Sequence, residues 1–344
     1  MKNLFYTILS LGFFLSTVGC DKDSTEFIPT GKETVVLSGT KVPTDTAIFE
    51  NEDNLVMPRP TDPALSLSIE KLNDLLEKPV YKDSITAENG GKIVTPDDVT
   101  VEFPANCCKG SGGVCKGKLD IEILILKTKG ELVSNDKPTF SKGELLTSGG
   151  VVFINAKQNG VSVSVVSNKT ISIKYKMRPV ESGMKFFDGG RPDRFKFDWA
   201  LINNREIGTW RDSSSQDVSG YQIFTDRFGW INCDKFNAET NLTDKITVAL
   251  PDSFSNRNTG VFIVFKDILS VVKLAGDPQT RKFTIPKNYK GLPIGRQVTV
   301  VVYGIVKDKT YFATQDLTIA AINALTMTPL PLSLEEIKKK ILGL

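Results

Sequence analysis

The chain holds five cysteines and no histidine, so any nucleophilic or redox chemistry it offers must come from sulfur. Without imidazole there is no Ser-His-Asp triad, no Cys-His dyad, no His-ligated zinc and no His proton shuttle. Four of the cysteines, Cys107, Cys108, Cys115 and Cys233, lie in the body of the sequence. Cys115 stands across a glycine-rich loop (109–114) from the adjacent pair. In an oxidising compartment that spacing predicts a bridge from Cys107 or Cys108 to Cys115. Two adjacent cysteines and a third after six intervening residues do not match the CxxC spacing of zinc modules, and neither metal nor cofactor is expected. Cys233, close to Trp230, reads as a buried thiol, because no histidine stands by to lower its pKa.

Carboxylates are the remaining source of acid–base chemistry. Asp97 with Asp98, Asp188 with Asp193, and Asp198 could supply calcium oxygens or the paired acids of glycoside hydrolysis. None has calcium-loop spacing, and turn chemistry beside glycine and proline accounts for them. A carboxylate-based hydrolase acting on a glycan is therefore the alternative reading, and a non-enzymatic protein the main one. Aromatic residues crowd the middle of the chain: Trp199, Trp210 and Trp230, with Phe224, Phe228 and Phe236. Alternating aromatics usually face a core. On a surface they would stack on sugar rings or anchor a partner. Trp199, Trp210, Trp230 and Phe228 are the candidate binding surface.

The elements that must position these groups follow from periodicity. Of the 344 residues, 40% are hydrophobic, enough for a real core and, by length, about two domains. Lys and Arg number 43 against 40 Asp and Glu, a balance with no basic footprint for nucleic acid. Residues 20–60 are a proline-containing tether without a sustained period. Over 61–82, Leu65, Ile69, Leu72 and Leu76 fall on one helical stripe. From residue 83 the period becomes two: Val99, Val101 and Phe103 alternate, as do Leu119, Ile121, Ile123 and Ile125. Asn89-Gly90 and Asn159-Gly160 read as hairpin turns. The pattern predicts an all-β protein: one antiparallel β-sandwich over 83–178, an aromatic-rich joining segment over 179–244, and a second sandwich over 245–325. A tight turn is expected near Lys307-Asp308-Lys309. Residues 326–344 form a proline spacer and a short helix, with Ser333 and Glu336 at capping-box spacing.

The first twenty residues are a targeting segment. Lys2 is followed by an apolar run from Leu4 to Val18, too short to span a bilayer comfortably, and then Gly19-Cys20. Residues 1–19 read as a signal peptide. Gly19-Cys20 resembles the lipobox of bacterial lipoproteins, in which the thiol is acylated before cleavage, so Cys20 is the expected lipidation site. Two or three acyl chains would give a durable membrane anchor. Asp21-Lys22-Asp23 resembles the stretch that marks surface export in Bacteroidota-type lipoproteins. This implies an outer-membrane protein at the cell surface, with a periplasm-facing protein as the alternative.

A second resemblance covers roughly residues 85–320. Gly90-Gly91, Pro104, Gly117-Lys118 and the run from Leu146 through Gly150 follow the order seen in the β-sandwich module of ankyrins, zona-occludens proteins and netrin receptors. They are closer still to copies in Bacteroidota-type lipoproteins, whose second hallmark resembles the run Phe228–Phe236. The resemblance implies architecture and, through scaffolding members of the family, protein–protein contacts. In some eukaryotic relatives a neighbouring domain cleaves itself at a His-Phe-Ser site, chemistry closed to a chain without histidine. Together these readings predict a lipid-anchored envelope protein that presents β-sandwiches to a protein or polysaccharide partner.

Overall fold

A computed structural model describes residues 69–190, 197–211, 218–277 and 280–344. Within them the protein is all-β, built from antiparallel sheets with three helices: α1 (Ile69–Leu76), α2 (Lys129–Ser134) and α3 (Leu334–Leu342). The strands form four stacked layers separated by three apolar cores. The first layer pairs Gly91–Val94, Val99–Phe103, Ile171–Lys176, Val218–Thr225 and the C-terminal half of Asp198–Arg211. The second pairs Tyr81–Thr86, Lys118–Leu126, Glu144–Gln158, Gly229–Phe236, Lys185–Gly190 and the N-terminal half of Asp198–Arg211. That one long strand carries the chain between the first two layers. The third layer runs Val271–Lys273, Thr259–Phe265, Gln297–Val306 and Lys309–Thr318. The fourth joins Ala275–Asp277, Lys282–Thr284, Ile246–Ala249 and Asn323–Thr326, the last pair being parallel.

The middle layers are apolar on both faces, which a period-two reading with one wet face does not anticipate. Along Lys118–Leu126, Leu119, Ile121, Ile123 and Ile125 enter the core shared with the first layer. Leu124 and Leu126 enter the next core. Along Gln297–Val306, Val298, Val300 and Val302 face the fourth layer, while Val301, Tyr303 and Ile305 face back. A strand buried on both sides needs a continuous apolar run, and these strands have one. The central core fuses the two sandwiches through Phe153, Trp199, Phe262 and Tyr303.

The expected joining segment is therefore not a joint. Its strands Lys185–Gly190, Asp198–Arg211, Val218–Thr225 and Gly229–Phe236 sit between Glu144–Gln158 and Ile171–Lys176 and complete the first sandwich. Asn89-Gly90 also behaves differently from a hairpin turn. Tyr81–Thr86 belongs to the second layer and Gly91–Val94 to the first, with only a Thr86–Gly90 bridge between them. The turn rounds a corner where a Cβ on Gly90 would lie 2.2 Å from the Phe103 carbonyl. Asn159-Gly160 and Lys307-Asp308 do close hairpins, all four residues having positive φ as type I′ turns require.

Helices seal the central core. Leu72 and Leu76 of α1 are buried in it, and Tyr303 donates its hydroxyl to Asn73 Oδ1 at 3.0 Å. The anticipated residues of this helix before Ile69 lie outside the described residues. At α3 the Ser333–Glu336 capping box forms as expected, burying Leu334, Ile337 and Ile341. Helix α2, absent from the sequence reading, has its own capping box from Thr128 and Glu131 and crosses α3 closely. A Cβ on Gly130 would come 2.1 Å from the Ile341 carbonyl oxygen. Gly130→Ala should destabilise the protein by about 1–3 kcal/mol through this clash. Hydrogen exchange should show the loss first in α3, which is too short to persist undocked. Unchanged protection there would contradict the close crossing.

Candidate functional site

The runs Leu146–Gly150 and Phe228–Phe236 lie side by side. Gly229–Phe236 pairs with Glu144–Gln158 so that Asn232 opposes Val151 and Asp234 opposes Ser148. Three steps on one strand match two on the other, so Gly149 and Gly150 together face Cys233. This is a β-bulge, and a bulge displaces backbone groups that the ladder would otherwise satisfy. Side chains take over: Tyr175 donates its hydroxyl to the Gly149 carbonyl at 3.1 Å, and the Gly150 N–H donates to Ser148 Oγ at 3.1 Å. Ser148 Oγ donates to Asn232 Oδ1 at 3.2 Å, and Asn232 Nδ2 donates to Asp234 Oδ2 at 2.6 Å. The paired glycines are required by space. A Cβ on Gly149 would meet the Tyr221 ring at 2.7 Å, and Gly150 has φ +118°.

This cluster is sealed. Burial raises the Asp234 carboxyl well above the usual carboxylate range, against the opposing pull of Ser148, Asn232 and the Gly149 N–H. Burial likewise pushes up the Cys233 thiol and the Tyr175 hydroxyl, and takes Tyr221 up to about 12. The thiol and the two hydroxyls stay protonated at neutral pH, and the Asp234 carboxyl keeps its proton above the pH at which an ordinary aspartate gives it up. A thiol so raised is a poor nucleophile, which fits the buried, inert Cys233 read from the sequence. The arrangement secures a bulge and offers no reacting group to a substrate.

The aromatic candidates separate. Trp199 is 0% exposed; its indole N–H donates to the Pro138 carbonyl at 2.8 Å and its ring meets Phe197 edge-on at 4.7 Å. Its place in the binding surface is corrected: it fills the central core. Trp230 covers the same core, 4.9 Å from Phe153, with the buried Lys137 ammonium 4.2 Å from its ring. Phe228 packs against the first core. Trp210 differs. It opposes Gly220 and so shares the solvent side of the first layer with Gln222 and Phe224, its indole N–H donating to the Tyr175 carbonyl at 3.1 Å. Phe224, 48% exposed, is the aromatic that the sequence reading left out of the binding surface. Four residues of strand separate Trp210's row from Phe224's, about 13 Å. Between them lie Gly208 and Gln222, flanked by Lys174 and Ser172 on the next strand.

The acids are engaged. Asp188 and Asp226 share the Arg227 guanidinium, Asp188 at 2.7 Å and Asp226 at 3.4 Å, and Arg205 also pairs with Asp226. Burial would raise the Asp226 carboxyl, but these arginines outweigh it and hold it low. A general acid needs the opposite shift. Asp97 pairs with Lys78 at 2.8 Å, Asp98 with Lys176 at 3.7 Å, and Asp198 Oδ1 accepts the Trp199 N–H at 2.9 Å. Asp193 lies outside the described residues.

Cys107, Cys108 and Cys115 are all buried, and all are free thiols. The expected bridge to Cys115 is not made. Instead Cys107 and Cys108 hold their sulfurs 3.5 Å apart, while Cys115 donates its backbone N–H to the Cys108 carbonyl. Cys20 lies outside the described residues. No group of three or more Cys, Asp or Glu side chains among the described residues is placed to hold a metal ion. No protein-family model matches the chain, and no curated protein matches it.

Proposed function

We propose that the protein is a lipid-anchored envelope protein, moored through Cys20, that presents the solvent side of its first layer to a polysaccharide. The anchor rests on the apolar run and Gly19-Cys20. The binding role rests on one observation above all, the spaced pair Phe224 and Trp210 on a sheet face floored by Gly208 and Gln222. Aromatic rings offer flat apolar faces to the C–H faces of sugars, and neighbouring Gln, Ser and Lys side chains can hydrogen-bond to hydroxyls. The resemblance to β-sandwich modules of surface lipoproteins agrees with a presenting role.

A glycan array probed with the full-length protein tests the reading. Phe224→Ala and Trp210→Ala should each weaken a positive signal at least about tenfold, a loss of roughly 1.4 kcal/mol, while leaving the unfolding midpoint near that of the parent. Signals insensitive to both changes would remove this face from the proposal. A blank array would move the role to a protein partner. Mooring has a separate check: Cys20→Ser should abolish labelling by a fatty-acid analogue and release the protein from membranes. Undiminished labelling would end the lipid reading.

A further inference from the structure

The small hairpin at residues 108–114 carries more chemistry than a structural turn needs. Its arms pair Lys109 with Val114 and Gly110 with Gly113, and the Cys115 N–H donates to the Cys108 carbonyl at 2.9 Å. Cys108 and Cys115 are therefore the next opposed residues of the ladder. Opposed residues of a hydrogen-bonded pair stand about 5.5 Å apart at Cα, inside the range a disulfide spans. Both side chains point inward and are buried, whereas Lys109 and Val114 between them are exposed. Cys107, also buried, places its sulfur 3.5 Å from that of Cys108.

We propose that these three residues form a thiol–disulfide exchange site in which Cys108 is the shared sulfur. With a disulfide oxidant RSSR, the Cys108 and Cys115 thiols become one S–S bond, and two RSH leave carrying the two protons and two electrons. The Cys107 thiolate can then attack the Cys108 sulfur. A Cys107–Cys108 bond forms as the Cys108–Cys115 bond breaks, and Cys115 leaves as thiolate with no net oxidation. In the Cys108–Cys115 disulfide Cys108 carries no proton, and Cys107 is the free thiol left beside it, placed with its sulfur 3.5 Å from that of Cys108, so Cys107 is the attacking group. Access comes from the hairpin itself. It adds only the short strand Ser164–Val165 to its two arms, and so small a sheet opens locally far more readily than the main layers. The site is independent of the polysaccharide reading.

The test treats the full-length protein with oxidised glutathione, both folded and during refolding from urea, so that burial cannot hide the reaction. Thiol counting and peptide mapping should find a Cys108–Cys115 bridge, with Cys107 and Cys233 free. Cys107→Ser should keep that bridge, and Cys115→Ser should divert it to Cys107–Cys108. Dithiothreitol should reduce the parent at least about fivefold faster than Cys107→Ser, because the internal thiolate relays the exchange. Cys107, Cys108, Cys115 and Cys233 all free under both conditions, or a Cys107–Cys115 bridge in Cys108→Ser as strong as the parent's bridge, would overturn the assignment. Equal reduction rates would remove Cys107 from it.

Discussion

Trp199→Ala should destabilise the protein by about 3–5 kcal/mol, the usual cost of truncating a fully buried large aromatic residue. Three losses combine. The indole leaves a cavity in the core that joins the two sandwiches, the edge-on contact with Phe197 at 4.7 Å disappears, and the Pro138 carbonyl loses its donor. The pocket cannot close easily around the gap. Gly189 opposes Trp199 on the next strand, and a Cβ there would already lie 2.5 Å from the indole, so the sheet is shaped around this ring. Urea unfolding checks this: the midpoint should fall sharply with little change in slope. Phe224→Ala, made on the solvent face, should barely move it. A Trp199→Ala protein of parental stability that had lost its ligand would return Trp199 to the binding surface.

The contrast between these two residues shows how far the sequence could be read. Period-two strands, the Asn159-Gly160 and Lys307-Asp308 turns and the Ser333 capping box depend on local chemistry, and each was visible in the residues that form it. The four-layer stack was partly written too, in runs such as Gly260–Phe265 and Val300–Val306 that carry no polar side chain but the Tyr303 hydroxyl. What local pattern cannot tell is which strand neighbours which. Residues 179–244 look irregular because Asp198–Arg211 changes layers partway along, pairing first with Lys185–Gly190 and then with Val218–Thr225. Trp199 and Trp210 lie on that one strand, yet one fills a core and the other faces solvent. The Gly149-Gly150 bulge was legible only as a resemblance. Its physical reason, two tyrosines and an acid gathered from distant strands, needs three dimensions.

That acid sets the strongest pH dependence expected of this protein. An unfolded aspartate titrates near 3.9, whereas burial raises Asp234 well above that in the folded state. Between the two values the folded protein keeps a proton that the unfolded chain has released. Stability from this group is therefore fully present below about pH 4 and is lost as pH rises toward the folded value, by about 1.4 kcal/mol per pH unit. Cys233, Tyr175 and Tyr221 face the same cluster, but their raised pKa values keep them neutral across this window. Asp234→Asn has nearly the shape of the protonated acid. Its amide oxygen can accept from Asn232 Nδ2 as Asp234 does at 2.6 Å. Urea midpoints from pH 4 to pH 8 should fall steeply for the parent and less so for Asp234→Asn, the two nearly coinciding at pH 4. The variant should be the more stable at pH 7, because its amide has no proton for the unfolded chain to release, so the proton-linked loss falls on the parent alone. Parallel curves would mean that Asp234 ionises freely and that the bulge is open to water. The Gly149→Ala change would then be expected to do little, whereas a closed bulge requires it to displace the Tyr221 ring, 2.7 Å from the new Cβ.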